Sequence, residues 1–300
     1  MNSFFLGANS KNGFYSLYGG FPGKPGAFLH ILKGGPGTGK STLLRRISAA
    51  AEQRGLAVRR VLCSGDPDSL DGLFLPDLDL AWADGTAPHA LEPRLFGVRG
   101  DYLDLGRAMT RPFSSAEKEA LLSLQEENRR QYKAAYQALA DSAAAGWEAM
   151  TPPSDLGEAL EAMPRRDRSP EIRRCFLSAV SCKGLLQLPL PEEYQILPAS
   201  PASLRRAAEA AAARGWDTLR CPWPLDPAEP EWLLLPELKL ALRVRRQPSE
   251  KAERSLQQAV QALRQAKAFH DEMEAVYRPH MDFAELNEEA ERQIRRAFSE

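Results

Sequence analysis

The chain has 300 residues and a formal net charge of −1. This length exceeds one average domain and predicts two, each large enough to bury a core. The balanced charge gives no electrostatic reason to expect nucleic acid as a partner.

Cysteine usage and hydropathy indicate the compartment. The chain has no C-x-x-C pair, and its cysteines are far apart: Cys63, Cys175, Cys182 and Cys221. This spacing favours free thiols in a reducing cytosol. The amino terminus lacks the pattern of a secretion signal, and no apolar run is long enough for a membrane span. We therefore expect a cytoplasmic protein with no membrane span.

A glycine-rich loop is the first strong functional signal along the chain. Residues 28–32 (FLHIL) predict a buried strand, and residues 40–54 predict a helix. Between them lies GGPGTGKST, in which Gly34, Gly39, Lys40 and Ser41 fill the fixed positions of the phosphate-loop motif G-x-x-x-x-G-K-[ST]. In such a loop, backbone N–H groups and the helix N-terminus hold the phosphates of a nucleoside triphosphate.

The motif assigns a role to each of its side chains. Lys40 is expected to reach the β- and γ-phosphates, and the Ser41 hydroxyl to bind Mg²⁺. The chain contains no N-K-x-D motif that reads guanine, so ATP and Mg²⁺ are the expected ligands. The predicted nucleotide-binding residues are Gly34, Gly35, Pro36, Gly37, Thr38, Gly39, Lys40, Ser41 and Thr42.

The next two segments supply candidate carboxylates. Residues 58–63 predict a strand, and the loop CSGDPDSLDG follows it. Turn formation accounts for Asp66 and Asp68, whereas Asp71 is a candidate for positioning water or contacting Mg²⁺. The apolar run at residues 78–84 ends at Asp84, the preferred second metal carboxylate of a P-loop ATPase. The alternative for Asp84 is an ordinary turn residue before Gly85, and the loop residue His89 is either a phosphate contact or structural.

An internal repeat changes the expected architecture. One alignment of the chain with itself places LFLPDLDLA (73–81) on LLLPELKLA (233–241), and a second, slightly more offset, places FLGANSKNG (5–13) on FLSAVSCKG (176–184). The difference between the two offsets means that the second copy is shorter by about a loop, and the deletion falls where its phosphate loop would be. PASPAS stands there with no Gly-Lys-Ser, so the second copy is predicted to be degenerate.

Long helices and an arginine-rich segment complete the chain. Apolar residues recur at helical spacing from Ser115 to Ala143 and again from Leu256 to Tyr277. Ser115 and Ser249 are the candidate N-caps. These helices are expected to pack on each other, with a protein partner as the alternative. The arginines between the halves are either a solvated cluster or a source of a catalytic arginine: Arg165, Arg166, Arg168, Arg173 and Arg174.

Four blocks in this order, FFLGANSKNGFYSLY, HILKGGPGTGKSTLLRRI, LCSGDPDSLDGLFLPDL and DGTAPH, resemble a family of bacterial ATP-binding proteins with two P-loop repeats. The resemblance covers most of the chain and implies a cytoplasmic, ATP-binding, P-loop ATPase-like protein. It departs at PASPAS, because in that family the second repeat often keeps its own glycine-lysine loop. A second nucleotide site is therefore not expected here.

The sequence thus predicts an α/β protein of the P-loop NTPase fold, with a mainly parallel sheet flanked by helices, internal duplication and long helical segments. Residues 1–164 are the expected competent domain and residues 165–300 the degenerate one. Three functions stay open: an ATPase that drives or regulates an interaction, a kinase acting on a nucleotide or small molecule, and a nucleotide-gated binding protein without turnover. For an enzyme, the expected catalytic residues are Lys40, Asp84 and Asp71, and the expected metal ligands are Ser41 and Asp84.

Overall fold

The protein, described from a computed structural model, is an α/β chain of helices and mixed sheets, with residues 2–88, 91–150 and 164–298 described. The helices are α1 (Lys40–Gln53), α2 (Ser115–Ala144), α3 (Pro201–Ala213), α4 (Glu250–Tyr277) and α5 (Phe283–Ala297). The strands of the first half are β1 (Ser3–Phe5), β2 (Gly7–Ser10), β3 (Gly13–Ser16), β4 (Phe28–Lys33), β5 (Arg59–Leu62), β6 (Leu70–Leu75), β7 (Leu80–Asp84), β8 (Gly100–Asp104) and β9 (Trp147–Ala149). Those of the second are β10 (Ile172–Arg174), β11 (Ser178–Ser181), β12 (Gly184–Gln187), β13 (Gln195–Pro198), β14 (Thr218–Pro222), β15 (Pro230–Leu235), β16 (Leu240–Arg243) and β17 (Arg246–Pro248).

Both large sheets are mixed. One has the strand order β1-β5-β6-β7-β4-β8 and the other β10-β14-β15-β16-β13. The prediction of a mainly parallel sheet is wrong, since both large sheets combine parallel with antiparallel pairings, and seven of the twelve pairings among the described strands are antiparallel once the three two-stranded sheets are included. The block LFLPDLDLA explains one of these antiparallel pairings. It links β6 to β7 through a short turn, which permits a hairpin, whereas a parallel crossover needs about a dozen residues or more.

The two sheets share an order and a pattern of strand directions. Across the first sheet, from β1 through β5, β6 and β7 to β4, the successive strand pairings are parallel, antiparallel, antiparallel and parallel. Across the second sheet, from β10 through β14, β15 and β16 to β13, the pairings follow the same series. The turns agree as well, because Asp79 and Lys239 adopt left-handed φ values of 55° and 51° in the β6–β7 and β15–β16 turns. These two residues are equivalent in the sequence alignment that places LFLPDLDLA on LLLPELKLA.

The sheets stack face to face between outer helices. Their inner faces form one core from both halves, including Leu29, Ile31, Phe74, Leu219, Trp232 and Leu234. The outer face of the first sheet packs on α1 and α5, and that of the second packs on α3. Residues 1–164 and 165–300 therefore share a core, and α5, late in the chain, covers the first sheet.

The halves meet at matched positions along their junction. Phe5 and Phe176, which the second sequence alignment makes equivalent, exchange both backbone hydrogen bonds at 2.9 and 2.8 Å. The long helices α2 and α4 pack on each other, where Asn128 Nδ2 donates to the Ala266 carbonyl at 2.7 Å and Ser142 Oγ donates to the Ala252 carbonyl at 2.7 Å. The expected pairing of the two helices is thus observed.

Side-chain capping defines where these helices begin. Ser249 caps α4 as predicted, accepting from the Ala252 N–H. The cap of α2 is Ser114 rather than Ser115, because Ser114 and Glu117 form a reciprocal capping box. All four cysteines are free thiols, as expected. In the part of the chain that is described, no helix has both the length and the apolarity to cross a bilayer.

A buried carboxyl in the second sheet makes stability depend on pH. Glu231 is 7% exposed, and burial raises its pKa to about 7, against opposing effects of the Ser178 hydroxyl and of Arg243 and Arg246. Because the folded state holds this proton more tightly, stability falls as pH rises from about 4.5 to about 7, by about 3 kcal/mol from this group.

We expect Glu231→Gln to remove this slope, since the amide does not titrate. In urea unfolding the variant should match the wild type near pH 4.5 and exceed its stability by about 3 kcal/mol above pH 7. Glu209→Gln, an exposed glutamate of α3, is the matched control and should leave the slope unchanged. A wild-type slope in the Glu231 variant would refute the assignment.

Candidate phosphate-binding site

A glycine-rich loop, residues 34–39, joins the end of β4 to the start of α1. Gly37 and Gly39 have left-handed φ values of 70° and 85°, which glycine adopts without strain. Gly39 is the N-cap of α1 and no side chain caps this helix, so its first-turn N–H groups are available to an anion. The residues of the motif therefore form a glycine loop that ends at a helix N-terminus without a side-chain cap.

The other side of this loop is covered by the end of α4. A Cβ at Gly35 would lie 2.7 Å from the Tyr277 ring, and one at Gly37 would lie 3.2 Å from the Glu274 carbonyl oxygen. A side chain at Gly35 would have to displace the Tyr277 ring, and one at Gly37 would be strained by the left-handed backbone and would press on α4. Sequence analysis missed Tyr277 and Glu274, because they lie near the other end of the chain and no local pattern connects them to the loop.

Lys40 curls back over the loop. Its Nζ donates to the carbonyls of Gly34 at 2.7 Å and Gly35 at 2.9 Å. The same Nζ lies 3.7 Å from Asp84 Oδ2, and both side chains are 13% exposed. A cation is therefore held at the mouth of the loop, where the charge of bound phosphate would lie.

Asp84 stands at the end of the strand beside the loop. β7 runs parallel to β4 with Leu32 opposite Asp84, so the last residues of both strands reach the same sheet edge. Asp84 Oδ1 accepts from the Thr86 N–H at 2.8 Å, which is the turn contact of the alternative interpretation. Oδ2 is directed to Lys40, so one carboxylate serves the turn and the site together.

Asp71 lies beside Asp84 on the next strand. In the β6–β7 pairing Gly72 is opposite Ala83, so Asp71 and Asp84 flank one cross-strand pair. Asp71 is 6% exposed and accepts from the Tyr18 hydroxyl at 3.3 Å. Its neighbour Leu70 donates its N–H to Ser41 Oγ at 3.0 Å. The four predicted side chains Lys40, Ser41, Asp71 and Asp84 are thus brought to one edge.

Buried neighbours set the electrostatics around Asp71. Burial, followed by the Asp71 charge, raises the pKa of Tyr18 well above its ordinary value. The same two causes raise the pKa of the Cys63 thiol. Both groups are therefore neutral near pH 7, and the Tyr18 hydroxyl is a donor to the carboxylate. Tyr18 was not identified from sequence, since its segment had no recognisable chemistry.

Asp66 and Asp68, in the loop CSGDPDSLDG that follows β5, connect the two halves. Asp66 lies 3.4 Å from Lys267 Nζ on α4, and Asp68 forms an ion pair with Lys183 in the β11–β12 turn. Asp66 Oδ1 also accepts from the Asp68 N–H at 3.3 Å, in keeping with a turn role. The hydrogen bond from Lys183 lowers the pKa of Asp68.

The remaining predicted residues have clear positions. Pro36 lies in the loop, Thr38 is buried with its Oγ1 donating to the Gly35 carbonyl at 2.9 Å, and Thr42 is exposed in the first turn of α1. Arg166 and Arg168 pair with Glu237 in the turn between β15 and β16, which places them in the second half rather than at the loop. His89 lies outside the described residues.

No family model, curated protein or solved structure matches this chain. Within the described ranges, no group of three or more His, Cys, Asp or Glu side chains forms a metal site by itself. A magnesium ion here would need the phosphates of a nucleotide as further ligands, as in P-loop enzymes.

The loop passes a geometric test for such a ligand. The glycine loop runs directly into the uncapped N-terminus of α1, where Lys40 and Ser41 are the first two residues, and Lys40 Nζ lies 3.7 Å from Asp84 Oδ2. These are the donors and acceptors that a triphosphate with Mg²⁺ requires. In the second half only Ala199 and Ser200 lie between β13 and α3, which is too short for a phosphate cradle of this kind.

Proposed function

We propose that this protein is an ATP-binding P-loop NTPase that hydrolyses ATP with Mg²⁺ to drive or regulate an interaction. The observation that carries the proposal is the position of Lys40, above a glycine loop between strand and helix and 3.7 Å from Asp84. Asp84 ends the adjacent parallel strand, where a P-loop NTPase holds its metal-associated carboxylate.

In this proposal positioning and electrostatics supply most of the rate enhancement. Loop N–H groups and the N-terminus of α1 orient the phosphates, and Lys40 exchanges its loop carbonyls for β- and γ-phosphate oxygens. Ser41 and Asp84 would bind the Mg²⁺ that accompanies the nucleotide, and Asp71 orients water. Mg²⁺, when bound, neutralises charge on the β- and γ-phosphates.

Internal duplication is part of the same proposal. It is supported by the shared strand order and by the paired left-handed turn residues Asp79 and Lys239. In the alignment that pairs these two residues, Val244 takes the place of Asp84 and Glu231 that of Asp71. The second half therefore has neither the loop nor the metal carboxylate, and we assign hydrolysis to the first half alone.

We propose that ATP turnover acts on partner binding through the contact between the two halves. Asp66 and Asp68 follow β5 at the same edge as the loop and hold Lys267 and Lys183 of the second half. A change in this aspartate loop on hydrolysis would reach α4, whose far end also covers Gly35 and Gly37. The observed contacts thus link the site to the long helices, which are the proposed surface for a partner.

Product analysis tests the reaction class. We expect the purified chain with ATP and Mg²⁺ to yield ADP and free phosphate by chromatography and phosphorus NMR, without an added acceptor. Phosphate transferred to a nucleotide or metabolite would replace the hydrolase proposal with a kinase. If ATP binds but neither product forms, the remaining function is that of a nucleotide-gated binding protein without turnover.

We expect Asp71 to act in catalysis by orienting the attacking water. Asp71→Asn should lower ATP turnover by at least about tenfold while ATP still binds, because the amide does not accept a proton from water. Asp77→Asn, an exposed residue of the β6–β7 turn, should change turnover little. Thermal unfolding checks that both variants fold. Wild-type turnover in a folded Asp71→Asn variant would exclude the role.

A further inference from the structure

A cavity of about 450 Å³ lies at the edge of the second sheet that corresponds to the phosphate-binding edge of the first. Pro201, the first residue of α3, and Trp223, the first residue after β14, both line it. In the first half the same two places are the start of α1 and the residue after β5, where the phosphate loop and the aspartate loop lie. The second half has a cavity at the place where the first half has its phosphate loop.

The wall of the cavity is aromatic. Trp147 and Trp223 meet edge to face, with ring centroids 5.2 Å apart. Trp147 Nε1 donates to Ser142 Oγ at 3.2 Å, which fixes the orientation of its ring. A rigid, half-exposed indole beside a cavity offers a flat apolar surface for another ring.

A cation lies at the inner end of this wall. The Arg246 side chain is 6% exposed, and its guanidinium stacks 4.5 Å from the Trp223 ring centroid. Nη2 donates to the Pro230 carbonyl at 2.9 Å, whereas Nη1 has no hydrogen-bond partner among the described residues. Nη1 is shielded from solvent, and a buried donor without a partner is costly, so a ligand oxygen that reached Nη1 would remove that cost.

Two carboxylates limit how much negative charge the cavity accepts. Asp226 lies 2.6 Å from Lys11 Nζ, and Glu229 lies 3.7 Å from Arg246 and 2.9 Å from Arg205. These carboxylates would repel a triphosphate, and none of the described residues that line the cavity belongs to a glycine loop that could hold one. Lys11, Arg205 and Arg246 together face these two carboxylates, so one anionic group beside Arg246 leaves the five charges balanced or nearly so.

We propose that this cavity is a second ligand site, which binds a small molecule with one flat ring and one anionic group, either a carboxylate or a phosphate monoester. Arg246 binds the anionic group, and Trp147 packs on the ring. The volume falls within the range of small-molecule sites, about 300–1,000 Å³. The site is separate from the phosphate loop and does not depend on turnover there.

Isothermal titration calorimetry on the full chain tests the site. The titrations use the Lys40→Ala variant, in which ligand binding at the phosphate loop is weakened. The probes are AMP, benzoate and uncharged adenosine. We expect AMP or benzoate to bind, the former indicating a phosphate monoester and the latter a carboxylate, and adenosine to bind at least about tenfold more weakly. Failure of both anionic probes to bind at millimolar concentration would overturn the proposal.

Variants locate the binding. Arg246→Met should weaken the anionic probe at least about tenfold, because a charge-assisted hydrogen bond is lost, and Arg254→Met, an exposed arginine of α4, should leave it unchanged. Trp147→Leu should weaken binding of the anionic probe by removing the ring contact. If Arg246→Met does not fold, the Trp147 variant alone tests whether the probe binds in this cavity. Binding that is insensitive to the folded variants would refute the site.

Discussion

Lys40→Ala is expected to lower ATP turnover by at least about a hundredfold and to weaken ATP binding. Its Nζ lies at the mouth of the loop, on the Gly34 and Gly35 carbonyls and 3.7 Å from Asp84. Alanine leaves the glycine loop and the start of α1 intact but removes the charge that would neutralise the β- and γ-phosphates. Steady-state phosphate release measures the effect.

The control for this variant is Lys118→Ala, an exposed lysine of α2 far along the chain from the loop. It should keep wild-type turnover. Circular dichroism and thermal unfolding of both variants separate a lost site from a lost fold. A folded Lys40→Ala variant with wild-type turnover would contradict the assignment of the site.

Asp84→Asn is expected to keep ATP binding and to lose most Mg²⁺-dependent turnover, by about a hundredfold. The amide keeps the size of the side chain and the turn contact to the Thr86 N–H. It loses the charge on the oxygen that faces Lys40, which is the group proposed to serve the metal. A titration of turnover against Mg²⁺ concentration should show a lower maximum and a higher half-saturation concentration.

Asp104→Asn is the matched control, since Asp104 ends β8, the strand on the other side of β4. Its carboxylate caps the following turn at the Gly106 N–H, a contact that asparagine also makes. We expect wild-type magnesium dependence in this variant. An unchanged rate in Asp84→Asn would move the metal role to Asp71 or another group.

Local patterns allowed most of the first half to be predicted. The strand before the loop, the helix after it and the strand that ends at Asp84 were all located closely, because apolar periodicity and glycine punctuation are local signals. The prediction of a mainly parallel sheet was wrong, since LFLPDLDLA was used only as a repeat and its short turn was not recognised as a hairpin. Turn length was the relevant signal, and LFLPDLDLA contained it.

What the sequence did not provide are contacts between distant segments. Tyr18 donates to Asp71 from a segment with no chemical signature, and Tyr277 covers Gly35 from the other end of the chain. The cavity beside Trp147 and Arg246 joins the end of the first half to the second. Such contacts follow from how the sheets and long helices pack, which no single stretch of residues encodes.

The central claim is that the loop at residues 34–42 binds a nucleoside triphosphate, and direct titration of ATP with Mg²⁺ into the wild type and Lys40→Ala tests it. Calorimetry should show saturable ATP binding by the wild type and affinity at least about tenfold weaker in the variant. Absence of ATP binding by the wild type, or equal affinity in both proteins, would contradict the account.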